Sequence, residues 1–116
     1  MRHGKKLKKL NLYSAQRASL IRNMTVSLLR EESVTTTEAR AKEIKREAEK
    51  VITLCKDDSL ATRRLAFAKI RDEEVLKKLY GPLRDRFLEK NGGYTRIFKV
   101  GYRRGDGAPL CTVKLS

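Results

Sequence analysis

The chain has 116 residues, of which 40% are hydrophobic and 36% are charged, and 28 Lys and Arg against 14 Asp and Glu give a net charge of +14. A chain of this length buries one modest core. Its excess positive charge repels itself unless a polyanion neutralises it, and nucleic acid is the first candidate. No apolar run approaches the ~18 residues of a membrane-spanning helix, and the secretory signal pattern is missing. We therefore expect a protein that stays inside the cell and does not act at a membrane.

Residues 1–12 are predicted to form a basic N-terminal arm, and residues 13–116 a single compact domain. The arm contains no acid and too few apolar groups for a core, and Gly4 loosens its backbone. Because the arm cannot compensate its own charge, we expect it to become ordered only on a polyanion.

The next segment predicts a helix, a short strand and a second helix. Ser14 is placed to cap the first helix, in which apolar residues recur three or four positions apart. The β-branched run 33–37 predicts the strand, and the apolar stripe of residues 38–56 predicts the second helix. Thr35 and Glu38 have the spacing of a capping box, and we expect ion pairs of Glu38 with Lys42 and of Glu49 with Arg46 on the exposed side of this helix.

Two shorter helices are predicted to follow. Residues 57–59 end the second helix and offer a cap for a third one over residues 60–71. Asp72 is placed to cap a fourth helix, which Gly81 and Pro82 end.

The last third changes to the alternating period of strands. After the flexible residues 91–93, the sequence predicts a strand over 94–102, a Gly-rich loop over 103–109 and a partner strand over 110–115. By parity, Tyr94, Arg96, Phe98 and Tyr102 share one strand face and Lys99 points the other way. Packing of Phe98 on the helices is a better interpretation than stacking on bases. The predicted fold class is therefore α+β, with four or so helices packed on a small sheet that includes a C-terminal β-hairpin.

The inventory of reactive side chains argues against an enzyme. His3 is the only histidine and lies in the arm, where a phosphate contact is a better explanation than catalysis. The glycines at 101–107 lack the strand-to-helix context and the Lys-Ser/Thr ending of a phosphate-binding loop. We predict no catalytic residue, no cofactor and no small-molecule substrate.

A metal site is not predicted either. Cys55 and Cys111 are too far apart to resemble a metal-binding pair and have apolar neighbours, so we interpret them as reduced core thiols. The acidic doublets at 57–58 and 73–74 stand where helices begin, and capping explains them better than metal binding.

Three basic segments agree with one another: the arm, the Arg63-Arg64 helix and the hairpin. Exposed guanidinium groups donate bidentately to phosphate oxygens, and basic residues alternate with aromatic ones in the hairpin. The candidate nucleic-acid-binding residues are Arg2, His3, Lys5, Lys6, Lys8, Lys9, Arg17, Arg22, Arg63, Arg64, Arg96, Lys99, Arg103 and Arg104.

Five segments occur in a characteristic order: MRHGKK, RNMTVSLL, TTTEARAKEI, VITLCKDDSLATRRLAFAKI and GGYTRIFKVGYRRGDGAPL. With them the chain resembles the bacterial large-subunit ribosomal protein seventeen family over essentially its whole length. The resemblance implies a compact α+β domain that contacts folded large-subunit ribosomal RNA and neighbouring ribosomal proteins near the exterior of the peptide exit tunnel. It also implies a cytoplasmic location in the ribosome.

The chain departs from the family pattern at Leu12, where an Arg is usual, at Gln16, where a His is frequent, and at Lys114, which replaces a common acid. These departures affect single contacts. Because the family arm begins at the initiator Met, as here, we expect no organelle transit peptide. Two alternatives from other classes are a nucleoid-type DNA-binding protein, which would prefer duplex DNA and dimerise, and an RNA-modifying enzyme, which would need a cofactor loop or catalytic residues.

Overall fold

The computed structural model describes residues 14–116, and the predictions on the arm, residues 1–12, lie outside them. Within this range the α+β class is confirmed, with a three-stranded antiparallel sheet packed on helices. The elements are α1 (Ser14–Glu31), β1 (Ser33–Thr37), α2 (Glu38–Cys55), α3 (Leu60–Ile70), α4 (Glu73–Tyr80), α5 (Pro82–Phe87), β2 (Thr95–Tyr102) and β3 (Pro109–Leu115). The sequence predicted all of these elements except α5, and the bounds that it gave for the strands and for α2 to α4 agree within a residue or two. None of the helices within residues 14–116 is long and apolar enough to cross a membrane.

The core lies between one face of the sheet and the helices, and every helix contributes buried residues to it. Helix α2 turns a continuous apolar face inward because its small and branched residues recur every three or four positions. Cys55 from α2 and Cys111 from β3 are both buried free thiols, as predicted, and burial raises the pKa of Cys55. The buried residues of α2 are Ala41, Glu43, Ile44, Ala48, Val51, Ile52 and Cys55.

The sheet order β1-β3-β2 makes β3 the central strand. Cys111, Val113 and Leu115 of β3 are buried against the helices, so the alternate residues of the strand point away from them. We call this second side of the sheet its outer face. Directly paired residues project to the same side, which places Thr35, Thr112 and Phe98 together on the outer face.

The prediction that Phe98 packs in the core is therefore wrong. Its side chain is 48% exposed, because β2 turns Thr95, Ile97 and Lys99 toward the core-facing side instead. The prediction that Tyr94, Arg96, Phe98 and Tyr102 share one face of the strand is also wrong for the first and the last of them. Tyr94 precedes the strand and is buried, and a bulge between Lys99 and Gly101 moves Tyr102 off the face of Phe98.

The predicted helix caps agree with the structure better than the predicted strand faces do. The Ser59 hydroxyl accepts from the Thr62 N–H at 3.2 Å, and the Asp72 carboxylate accepts from the Val75 N–H at 3.1 Å, so both predicted caps are confirmed. The capping box of Thr35 and Glu38 is wrong. Thr37 occupies the N-cap position, and the Thr35 hydroxyl instead lies 2.8 Å from that of Thr112 across the sheet.

The predicted ion pairs of α2 are confirmed in part. Lys42 lies 3.4 Å from Glu38 as expected. Arg46 pairs with Glu43 at 3.8 Å instead of with Glu49, whose carboxylate accepts a hydrogen bond from Thr95 at 2.9 Å. Glu49 therefore bonds to the sheet and not to Arg46, the base that helical spacing alone predicts as its partner.

Glu32 connects the end of α1 to α4 and α5. It adopts a left-handed conformation with φ of 65°, and its N–H donates to the Leu28 carbonyl at 2.7 Å. Its carboxylate receives hydrogen bonds from Lys78 at 3.3 Å and from Arg86. The Arg86 hydrogen bond is the main reason that the pKa of Glu32 lies below its usual value.

Candidate nucleic-acid interface

The outer face of the sheet carries an exposed aromatic ring beside two cations. Phe98 pairs with Thr112, and one step away along the same face Arg96 pairs with Lys114. Arg96 and Lys114 are both exposed. Lys114, which the sequence did not mark as a site residue, thus lies beside Arg96 and Phe98, as the alternation along β3 could have predicted.

The hairpin tip, residues 100–109, extends the exposed surface beyond the core. Val100 is 54% exposed and Tyr102 is 78% exposed, so neither side chain contributes much to packing. Lys99 lies on the side of β2 opposite to Arg96 and is also exposed. The hairpin therefore exposes cationic groups on both sides of β2 and apolar groups at its tip.

Within the tip, Arg103 and Arg104 differ. Arg103 donates to Asp106 through Nε at 3.1 Å and through a second guanidinium nitrogen, while Asp106 also accepts from the Ala108 N–H at 3.2 Å. The Arg103 and Ala108 hydrogen bonds lower the pKa of Asp106 to about 2. Arg104 is exposed and forms no ion pair with an acid of residues 14–116. Arg104 is thus available to a partner, and Arg103 only in competition with Asp106.

The two arginines of α3 differ in the same way, because one of them pairs with an acid and the other does not. Arg63 donates to both carboxylate oxygens of Asp58, at 2.6 and 3.0 Å, and lies over the Tyr80 ring at 4.6 Å. The hydrogen bond from Arg63 lowers the pKa of Asp58. Arg64 is exposed and has no acidic partner in the described part of the chain.

A second basic region lies where α1, α2 and α3 meet. Arg17 and Arg22 of α1 and Lys69 of α3 line a cleft of about 330 Å³. We call it the α1–α3 cleft. Lys69 was not among the predicted residues, since only the packing of α3 against α1 brings it there.

The predicted basic residues of the described range therefore form separate groups. Arg17 and Arg22 share the α1–α3 cleft, Arg63 and Arg64 lie on α3, and the others belong to the hairpin. The predicted contacts of Arg2, His3, Lys5, Lys6, Lys8 and Lys9 fall outside the described residues. Among residues 14–116, no group of three or more His, Cys, Asp or Glu could hold a metal ion.

Comparison with known proteins identifies the family. The sequence model of the family described as ribosomal protein L17 matches residues 20–116. The chain belongs to this family. Among its relatives, the large ribosomal subunit protein bL17 of Caldanaerobacter subterraneus subsp. tengcongensis is 55% identical over 108 residues, which cover 93% of this chain and 96% of the relative.

Membership of the ribosomal protein L17 family confirms the resemblance found in the sequence. The chain is a structural constituent of the large ribosomal subunit and not an enzyme, and its location is the ribosome in the cytoplasm.

Proposed function

We propose that the chain binds folded large-subunit ribosomal RNA through the outer face of its sheet, the hairpin tip and the basic residues of α1 and α3. The observation that carries this proposal is the exposed Phe98 ring beside Arg96 and Lys114. Single-stranded RNA is recognised by stacking of its bases on aromatic rings, while cations hold its phosphates. An exposed aromatic next to two cations has the chemistry that this recognition needs.

Charge supports the same proposal. The described ion pairs use some of the cations, yet Arg64, Arg96, Lys99 and Arg104 stay without an acidic partner among residues 14–116. The whole chain carries +14. Binding to phosphates releases the counterions condensed on RNA, and this release favours association at low salt.

The place near the exterior of the peptide exit tunnel, with neighbouring ribosomal proteins as partners, rests on the family resemblance. Leu60 and Phe67 add support for a protein neighbour, since they lie seven residues apart on α3 and are 66% and 42% exposed. Cross-linking of intact large subunits followed by mass spectrometry tests this placement. Cross-links from α3 only to proteins distant from the tunnel exit would contradict it.

The RNA-binding proposal is tested by comparing two double variants that each remove two positive charges. Arg96→Ala with Arg104→Ala removes unpaired cations of the hairpin, whereas Lys42→Ala with Lys50→Ala removes cations that pair with acids on α2. We expect the hairpin variant to bind large-subunit RNA fragments more weakly. The slope of log affinity against log salt should also fall by roughly 0.7–0.9 for each lost phosphate contact.

Equal losses in the two double variants would show that only net charge matters and would contradict a specific surface. The assay also includes duplex DNA as a competitor. If duplex DNA displaces folded ribosomal RNA at equal concentration, a general nucleic-acid affinity replaces the proposed function.

A further inference from the structure

The α1–α3 cleft combines apolar walls with a charged rim. Ile21, Val51 and Ile70 line it together with the cations Arg17, Arg22 and Lys69. Its volume of about 330 Å³ is many times that of a water molecule. Small-ligand sites combine apolar walls with polar groups that fix the orientation of the ligand. The lining of this cleft contains both, with the carboxylates Glu43 and Glu47 beside the cations.

Glu43 is the unusual residue of this cleft. It lines the cleft and is only 3% exposed, although it carries a carboxylate. Its Oε1 accepts no hydrogen bond from the described residues, and Arg46 lies 3.8 Å away, beyond hydrogen-bond distance. Buried carboxylates without donors are costly, and nearly all buried polar atoms in folded proteins have a partner. The absence of a donor for Glu43 Oε1 among residues 14–116 therefore points to a ligand that supplies one.

We propose that the α1–α3 cleft binds an unpaired guanine base of RNA, with Glu43 as the acceptor of its N1–H and N2–H groups. This inference rests on the proposed RNA-binding function and adds a site with base specificity. Guanine presents two adjacent donors on its Watson–Crick edge, which match the two oxygens of a carboxylate. Adenine, cytosine and uracil each present donors from only one group there. The apolar walls take the base, and the cations at the rim take the flanking phosphates.

The charges at the rim of the cleft favour RNA over a protein as the source of the hydrogen-bond donor for Glu43. A lysine or arginine from a neighbouring protein would also satisfy Glu43, but the three cations of the lining, Arg17, Arg22 and Lys69, repel it. They outnumber the second carboxylate of the lining, Glu47, which lies 3.8 Å from Lys50. A guanine nucleotide brings its donors on a neutral base and its negative charge on the phosphates. The charge distribution of the cleft suits the nucleotide.

The test measures binding of the full chain to labelled pentanucleotides with guanine, inosine or adenine at the centre of a uridine background. Inosine lacks only the N2 amino group. Since a hydrogen bond to a charged group is worth about a factor of ten or more, we expect guanine to bind about tenfold more tightly than adenine, with inosine between them. Large-subunit RNA fragments are titrated in parallel as a measure of RNA binding without regard to the central base.

Three variants locate the preference. Glu43→Gln should abolish the guanine preference and leave the melting temperature unchanged or higher, because it removes a buried charge whose Oε1 accepts no hydrogen bond from residues 14–116. Ala68→Phe fills the cleft from an exposed position on its α3 wall and should have the same effect on binding without changing any charge. Glu38→Gln removes one acid from the same helix outside the cleft, and the preference should persist.

Different failures have different meanings. Equal binding of the three pentanucleotides, with RNA fragments still bound, overturns the guanine site and leaves the proposed function intact. Loss of binding to all RNAs overturns the proposed function. A guanine preference that survives both Glu43→Gln and Ala68→Phe places the base elsewhere. If a short arginine peptide binds in a Glu43-dependent way and guanine does not, the cleft is a protein-docking site and the inference is wrong.

Discussion

The helical part of the molecule and the β2–β3 hairpin use aromatic side chains in opposite ways. Phe87 of α5 is fully buried and meets the Tyr94 ring edge-on at 5.3 Å between centroids. Phe98, only four residues beyond Tyr94, is 48% exposed, and Tyr102 is 78% exposed. Residue type and sequence neighbourhood are therefore poor guides to the role of an aromatic here. The face of the strand decides whether the ring stabilises the fold or is available to a partner.

The charges of the two regions differ in the same way. In the helical part, cations join separate elements: Arg30 lies 2.5 Å from Asp72, and Glu32 receives hydrogen bonds from Lys78 and Arg86. In the hairpin, Arg103 pairs only with Asp106 three residues away. The paired cations of the helical part therefore stabilise the fold, whereas Arg64 of α3 and most cations of the hairpin have no acidic partner among residues 14–116.

The largest effect on stability is expected from Phe87→Ala, and the comparison is with Phe98→Ala. Phe87→Ala should lower the free energy of unfolding by about 3–5 kcal/mol, because it removes a fully buried ring and leaves a cavity. Phe98→Ala should lower it by less than about 1 kcal/mol, since half of the ring is already in water. RNA affinity should change in the reverse sense, with Phe98→Ala losing about 1–3 kcal/mol for a stacked base.

Chemical denaturation measures the first quantity and fluorescence anisotropy with large-subunit RNA fragments the second. Phe67→Ala is the control, because Phe67 has a similar exposure of 42% but lies on α3 away from the outer face. If Phe98→Ala and Phe67→Ala change RNA affinity equally, the ring of Phe98 is no stacking surface and the contrast between the two regions fails.

Elements with local signals and the apolar face of α2 were predictable from the sequence, whereas the faces of β2 were not. Ser59 and Asp72 mark their helices because a cap needs only the next three residues. The position of Phe98 depends on which alternate residues of β2 meet β3, and on β1, more than 60 residues earlier, completing the sheet. The cleft at the buried Glu43 likewise depends on α1 and α3 packing beside α2, which no local pattern of α2 reveals. Helix α5 was missed because its six residues are too few to show a period.

A smaller effect on stability is expected from a change at Glu32, where α1, α4 and α5 meet. Hydrogen bonds from Arg86 and Lys78 lower the pKa of Glu32 below its ordinary value of 4.5. The stability that this carboxylate contributes is therefore complete above about that pH and is lost as the pH falls below it. Because Glu32 is partly exposed, we expect Glu32→Gln to cost only about 0.5–1 kcal/mol at neutral pH.

Thermal melts of both proteins across the acid range check this prediction, with the neighbouring exposed Glu31→Gln as a control that removes the same charge. The stability difference between Glu32→Gln and the parent should shrink as the pH falls. A difference that stays constant down to the pH where Glu32 is protonated would show that its ion pairs contribute nothing.

The smallest effect on stability, and the sharpest test of the hairpin, is expected at Asp106. Asp106→Asn should leave the free energy of unfolding essentially unchanged, since the pair is exposed and Asn can still accept from the Ala108 N–H. It frees the Arg103 guanidinium, so RNA affinity should rise a few-fold and the salt slope should steepen by roughly 0.7–0.9. Asp85→Asn, on α5, removes the same charge away from the hairpin and serves as the control.

The pKa of Asp106 reports directly whether Arg103 changes partner. In the free protein it lies at about 2, mainly because of the hydrogen bond from Arg103. If Arg103 turns to a phosphate when RNA binds, the carboxylate loses its main donor and gains a negative neighbour, and both changes raise its pKa toward or above the ordinary value of 3.8. Carboxyl-carbon NMR titrations of the free and RNA-bound chain measure this shift. An unchanged pKa in the complex means that Arg103 stays with Asp106, and the RNA contact at the tip then belongs to Arg104 alone.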